Sequence, residues 1–357
     1  MIDMLVAGGG PAGLATAILA RRAGLDVTVA EPRRGPIDKA CGEGLMPPAV
    51  ARLRALGVEP AGHPLRGIRY LDADHRADAP FRHGQGLGVR RTALHAALAE
   101  RAAELGIPVL ATGVTGFVQR GGLVEAAGLT ARYLVAADGL HSTIRQACGL
   151  DVAGTGPRAL RSRAQAGPLP RPLSRYGLRQ HYAASPWTDM VEVYWSATSE
   201  AYVTPVADGL VGVAVLGTGT GDFDARLDAF PALRRRLAEA GAEPVGRVRG
   251  AGPLRQDVSR RVASRVLLVG DASGYVDALT GEGISVALAQ AEALVACVVA
   301  GRPGDYEKQW RRVSRKSRLL TAGLLWTRHQ PFLASRIVPA AAAWPVVFTG
   351  LVNLIAH

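Results

Sequence analysis

Residues 4–13 read Met4-Leu5-Val6-Ala7-Gly8-Gly9-Gly10-Pro11-Ala12-Gly13, an apolar run that ends in a cluster of glycines. Ile2 to Ala7 are short, apolar and bounded by glycine, the pattern of a buried parallel strand. Gly8 permits a tight turn, Gly10 lets the backbone approach a pyrophosphate, and Gly13 lets the next helix pack closely on the strand. Leu14 to Ala23 are good helix formers, with Arg21 and Arg22 near the C-terminal end, where they favour the dipole. Free N–H groups at the start of such a helix bind phosphate. A second strand, Asp26 to Ala30, ends at Glu31, 18 residues after Gly13. A carboxylate there accepts hydrogen bonds from the ribose hydroxyls of an adenosine. Strand, turn, helix, strand and acid fall in register, and the stretch reads as a dinucleotide-binding unit.

FAD and NAD both satisfy that unit, and two later motifs discriminate. Tyr133 to Ala137 read as a buried strand delivering Asp138-Gly139 to a turn, followed by a short helix over His141 to Gly149. Arg145 stands three residues after Ser142 on the same helical face. Val266-Leu267-Leu268-Val269 is a further buried strand, and Gly270-Asp271 follows it. A carboxylate at a strand's C-terminal end sits where ligands bind in doubly wound sheets, so Asp271 is a candidate acceptor for a ribityl hydroxyl. The turn Leu279-Thr280-Gly281-Glu282-Gly283 opens a long helix, Ile284 to Val299. Its N-terminus can stabilise negative charge on a reduced flavin ring or on the pyrophosphate. The ordered set points to FAD.

On these motifs the chain resembles the flavoprotein family that contains the para-hydroxybenzoate-hydroxylase-like (class A) monooxygenases and the geranylgeranyl reductases, over roughly residues 2–300. The resemblance implies an α/β fold: a Rossmann-like FAD-binding domain interleaved with an antiparallel-sheet substrate domain, then a helical C-terminal segment. The expected divisions are 1–59, 89–154 and 263–302 for FAD, 60–88 and 155–262 for substrate, and 303–357 for the helical segment. It also implies a cofactor-binding set of Gly8, Gly10, Pro11, Ala12, Gly13, Glu31, Arg33, Arg91, Asp138, Gly139, Gly270, Asp271, Gly281, Gly283 and Ile284. Arg91, in Val89-Arg90-Arg91-Thr92-Ala93-Leu94, matches an arginine that contacts the cofactor from the start of a helix. The Asp-Gly element is associated in the family with both FAD and the passing nicotinamide, so NADPH or NADH is the expected reductant.

Cys41-Gly42-Glu43-Gly44 and the run Asp277 to Ile284 resemble the reductase branch, although the family usually carries proline where this chain has Ala278. The longer stretch Cys-Gly-Glu-Gly-Leu-Met-Pro also resembles hydroxylases that tailor aromatic polyketides. The expectation is therefore hydroxylation of an aromatic or lipophilic, polyketide-like molecule through a flavin hydroperoxide. The alternative is reduction of a carbon–carbon double bond in an isoprenoid or quinone tail, with Cys41 or Glu282 as candidate proton donors. A non-catalytic flavin-binding protein at a membrane is the remote alternative.

Composition fits. A chain of 357 residues exceeds one ordinary core, and at 48% hydrophobic residues it can bury two. Cys41, Cys148 and Cys297 show no CxxC spacing, which argues against disulfides or a metal site and for a reducing cytoplasm. The N-terminus enters its strand at once, with no signal peptide expected. The +12 net charge is spread along the chain without aromatic interleaving, so no nucleic-acid partner is expected.

Between the cofactor motifs, Val191-Glu192-Val193-Tyr194-Trp195 and Ala201 to Val206 alternate as antiparallel strands do. A sheet there would roof the flavin, with His181, Tyr194, Trp195, Tyr202 and Trp187 as candidates for the pocket of a hydrophobic small molecule. Arg311, Arg312, Arg315, Lys316 and Arg318 form a basic helical stretch, and residues 337–356 carry no charge. Pro339 and Pro345 break that apolar run, so helices capping the cavity are expected rather than a spanning helix. Peripheral contact with an anionic membrane is the second expectation for this segment.

Overall fold

The structure, a computed structural model, describes residues 1–152, 174–219 and 221–356. The strand Ile2–Ala7 lies inside a mostly parallel sheet whose order is Val262–Ala263, Val266–Leu268, Leu129–Ala136, Ile2–Ala7, Val27–Ala30 and Val109–Leu110. Its four apolar residues in succession are needed because both faces are covered. Met4 and Val6 enter the core shared with the helices Pro11–Arg22, Arg91–Glu104 and Gly283–Val299, whereas Leu5 and Ala7 enter the opposite core with Leu134 and Ala136. The glycine turn then behaves as its spacing demands. Gly8 has φ +109°, and a Cβ on Gly13 would stand 1.9 Å from the Gly8 carbonyl oxygen. Helix and strand are packed so closely there that only glycine fits.

Helix starts differ slightly from the sequence reading. The first helix begins at Pro11 rather than Leu14, because proline at the first helical position presets φ and forfeits only an N–H that is unpaired anyway. The long helix begins at Gly283, and the helix expected over 141–149 is Thr143–Ala147, where the Ser142 side chain accepts from the Arg145 N–H at 3.0 Å.

The second sheet has the order Glu243–Ala251, Tyr176–Ala183, Leu210–Gly217, Ser199–Ala207, Met190–Trp195, Gly67–Leu71 and Arg76–Pro80. It is antiparallel apart from one pair, Met190–Trp195 with Gly67–Leu71, which is parallel because the chain returns from a distant segment to extend the sheet edge. One face packs on the helices Phe223–Leu227 and Pro231–Glu239, and the other faces the parallel sheet's ligand side. The expected junction near 154–155 lies outside the described residues.

The chain ends in helices Tyr306–His329, Pro331–Ala334, Ile337–Ala343 and Pro345–Ile355. Among the described residues no single helix is long and apolar enough to cross a membrane, and the last two apolar pieces meet at a bend of 104°. Pro345 is the first residue of the final helix, which places the break where the sequence puts a breaker.

Candidate active site

A cavity of about 690 Å³ opens between the C-terminal ends of the parallel strands and the inner face of the second sheet. Gly10, Pro11, Ala12, Arg33, Arg91, Asp138, Gly139, Gly270, Asp271, Gly281, Gly283 and Ile284 all lie on its wall. Gly8 and Gly13 stand behind as the turn itself. The Glu31 carboxylate lies beneath Gly9, whose N–H it accepts at 2.8 Å, and Arg33 donates to it from Nε at 2.7 Å and Nη2 at 2.8 Å. Burial alone would raise the Glu31 carboxyl, but these bonds outweigh it and hold the group below the usual carboxylate range.

Beside the glycine turn and the Asp138-Gly139 turn, Arg91 Nε and Asp138 Oδ1 are buried polar atoms with no partner among the described residues. An unpaired buried donor or acceptor is costly, so both mark places for a ligand's polar atoms. Asp138 Oδ2 is already used, accepting from the Ile144 N–H at 3.3 Å, which fixes the free oxygen. Asp271 Oδ2 pairs with Lys39 Nζ at 3.3 Å. A cationic Arg91 beside a helix N-terminus suits a pyrophosphate, and Glu31, Asp138 and Asp271 suit sugar or ribityl hydroxyls. The donor set fits FAD. Arg145 is fully buried and holds the scaffold instead, binding Asp151, Gln256 and the carbonyls of Leu140 and Ala272.

The loop ahead of the long helix is tied by side chains. Asp277 accepts from Arg175 Nε at 3.0 Å, Arg175 also reaches Glu200 at 2.6 Å, and the Tyr202 hydroxyl donates to the Leu279 carbonyl at 2.7 Å. These bonds fix the loop around Ala278, the position where the family usually has proline.

A chain of polar contacts borders the cavity near Cys41. Glu43 takes a positive φ of 59°, and its N–H points to Cys41 Sγ at 3.4 Å. Its carboxylate accepts from the Arg91 N–H at 2.9 Å and pairs with His181 Nε2 at 2.7 Å. Arg179 Nη1 stands 2.9 Å from His181 Nδ1. A guanidinium can only donate, so Nδ1 accepts, the ring proton sits on Nε2, and it is directed at Glu43. Arg179 is held in turn by Asp38. Burial pushes the Cys41 thiol above its ordinary value, with the nearby Arg91 charge pulling the other way.

Placement of the expected substrate-side residues is mixed. Tyr202 and Cys41 line the cavity. His181 sits behind Glu43. Tyr194 faces away, because Val191 and Val193 point inward and a strand alternates; its hydroxyl donates to Glu192 Oε2 at 2.9 Å. Trp195 packs on Tyr70, centroids 5.2 Å apart, beyond the wall, and Trp187 donates to Glu192. Glu282 turns toward Thr280 and Ser317, and burial pushes its carboxyl up. Missed by the sequence reading were Glu43, Arg179, Lys39, Tyr70 and Tyr275. None belongs to a spaced motif, though Glu43 stood inside the quoted Cys-Gly-Glu-Gly run.

The chain is 30% identical over 334 residues to a menaquinone reductase of Mycolicibacterium smegmatis, covering 86% of this chain and 79% of that one. It is 28% identical over 344 residues to digeranylgeranylglycerophospholipid reductase 1 of Methanothermobacter thermautotrophicus, covering 87% and 82%. A 6-methylpretetramide 4-monooxygenase of Streptomyces rimosus is 36% identical, over 42% of this chain and 41% of its own. In fold, the chain is similar to a flavoprotein/dehydrogenase of Cytophaga hutchinsonii (TM-score 0.78, 20% identity, 99% and 92% covered) and to a flavin-dependent brominase (TM-score 0.75, 19% identity, 99% and 93% covered). The FAD binding domain family matches residues 1–305, most of the chain and all of the cofactor wall described above. The chain belongs to that family and is an FAD-dependent oxidoreductase.

Proposed function

We propose that the chain reduces a carbon–carbon double bond in the isoprenoid tail of a quinone or membrane lipid, using NADPH or NADH. The carrying observation is the Cys41 thiol on the wall of a large cavity that is apolar on its sheet side. FAD, when bound, supplies a hydride drawn from the nicotinamide. Reduction of an alkene needs that hydride at one carbon and a proton at the other. A thiol raised by burial stays protonated at neutral pH, so Cys41 Sγ–H is the proton source. The Glu43 N–H and the Arg91 charge stabilise the thiolate left behind, and solvent restores its proton. Val191, Val193, Ala214 and Leu216 offer an apolar bed for a tail and exclude water from the reacting carbons. Support comes also from the two reductase relatives, each matching over most of both chains.

The monooxygenase relative, matched over less than half of the chain, favours a second reading, oxygen insertion into an aromatic ring. Dioxygen separates the two. With NADPH or NADH and an isoprenoid quinone under strict anaerobiosis, the expected product carries two additional hydrogens. A product that forms only in air and carries one additional oxygen would establish the second reading instead. Cys41→Ala is expected to slow anaerobic turnover by about a hundredfold while retaining FAD. In the parent protein turnover should fall as pH rises through the raised thiol value, and that alkaline limb should be absent in the variant.

A further inference from the structure

We propose that the final helix and the exposed stripe of the Tyr306–His329 helix from Arg312 to Trp326 form a docking face for an anionic phospholipid bilayer, and that the lipid tail enters the cavity from that side. The final helix, Pro345–Ile355, carries no charge, yet only part of it is covered. Phe348 and Val352 pack on Ala77 and Ala79, and Val352 and Ile355 line the cavity. On the outside, Trp344, Val346, Val347, Leu351 and Leu354 are 47–76% exposed. One apolar helix therefore has the cavity on one side and the surroundings on the other. Trp326 and Phe332 add 61% and 71% exposed aromatic surface on neighbouring helices. Trp344, Val347, Leu351 and Leu354 recur at helical spacing, so the exposed apolar surface of the final helix is one stripe, and such a patch marks an interaction face.

Charge selects the occupant. Along the exposed stripe of the Tyr306–His329 helix, Arg312, Arg315 and Lys316 come first, then Leu319, then Trp326, at the spacing of a single face. Basic residues followed by aromatic and aliphatic ones on one amphipathic surface are the signature of a helix lying in the headgroup boundary. A second copy of this chain, itself at +12, would bring two such basic stripes together. An anionic headgroup layer neutralises them and presents acyl chains to the apolar helix. The proposal extends the reading of a lipid-tail substrate, but vesicle binding is scored without turnover, so each can fail alone.

The test is sedimentation of the full chain, flavin bound, with phosphatidylcholine vesicles made with and without phosphatidylglycerol. Binding is expected with phosphatidylglycerol. The R312Q/R315Q/K316Q variant should bind about fivefold more weakly per charge removed. The V347D/L351D variant, on exposed positions away from the cavity wall, should lose at least about tenfold and keep its flavin and its turnover of a detergent-dispersed substrate. Brominated lipid should quench tryptophan emission in the parent and less in Trp344→Phe, a variant that preserves the helix should the double aspartate not fold. The proposal is overturned if the chain fails to sediment with anionic vesicles, or if neither Val347 and Leu351 nor Trp344 responds to lipid. It is equally overturned if light scattering shows a dimer that V347D/L351D breaks while vesicles remain unbound.

Discussion

The two walls of the cavity are built by different means. The parallel-sheet wall works through backbone: a glycine turn, a helix start and strand ends, with a few carboxylates and Arg91 added at fixed offsets. The wall opposite works through side chains, and the ones that matter meet across long distances in sequence. Glu43 and His181 are 138 residues apart, and Arg175 and Asp277 are 102 apart. Backbone chemistry needs particular residues at particular spacings, which a sequence displays. Side-chain networks need only that several strands pass one another, which no spacing records.

The first wall should break completely at one atom. Gly13→Ala places a Cβ on the Gly8 carbonyl oxygen, which is backbone and cannot swing aside. The expected outcome is a protein without bound flavin and with a poor folded yield, read from visible absorbance after purification. Gly116→Ala is the control, since nothing lies within 4 Å of its added carbon. If Gly13→Ala keeps full flavin, the backbone account of this wall is wrong.

The second wall should weaken rather than vanish. Arg175→Met strips Asp277 of its cation, in a place where burial already pushes that carboxyl up, and takes one of the two arginines from the fully buried Glu200. Removing one partner of a buried ion pair costs about 3–5 kcal/mol. Arg328 still holds Glu200, so the lower end is expected in urea unfolding. Flavin should remain, with weaker retention as the Asp277–Gly281 loop loosens.

How much of this was legible follows from the same contrast. The strand, turn and helix over residues 2–22, the acid at Glu31 and the turns at Asp138 and Gly270 could be placed because each depends on local pattern. Pocket residues on the second sheet could not. Alternation tells which residues of Met190–Trp195 share a face, but not which face meets the cavity, and Tyr194 was drawn in for its chemistry when Val191 and Val193 hold that side. The C-terminal run is broken at Pro345 as expected, but not at Pro339, which sits in the first turn of Ile337–Ala343 where a missing N–H costs nothing; its exposed outer side depends on how little of the protein it covers.

Tyr202, like Arg175, joins the second sheet to the Asp277–Gly281 loop, and it gives the finest test of how far the first wall depends on that link. Its hydroxyl ties the second sheet to the Leu279 carbonyl at 2.7 Å, and its ring lines the cavity. Tyr202→Phe keeps the ring and removes one buried hydrogen bond, a change worth about 1 kcal/mol. The expected result is a small shift in the urea midpoint, unchanged flavin content, and a severalfold rise in KM with kcat nearly unmoved. Burial holds this hydroxyl protonated far above its usual range, so the effect should be the same across neutral and mildly alkaline pH. Loss of flavin on so small a change would mean that the loop, and with it the first wall, takes its shape from the second sheet rather than from its own backbone.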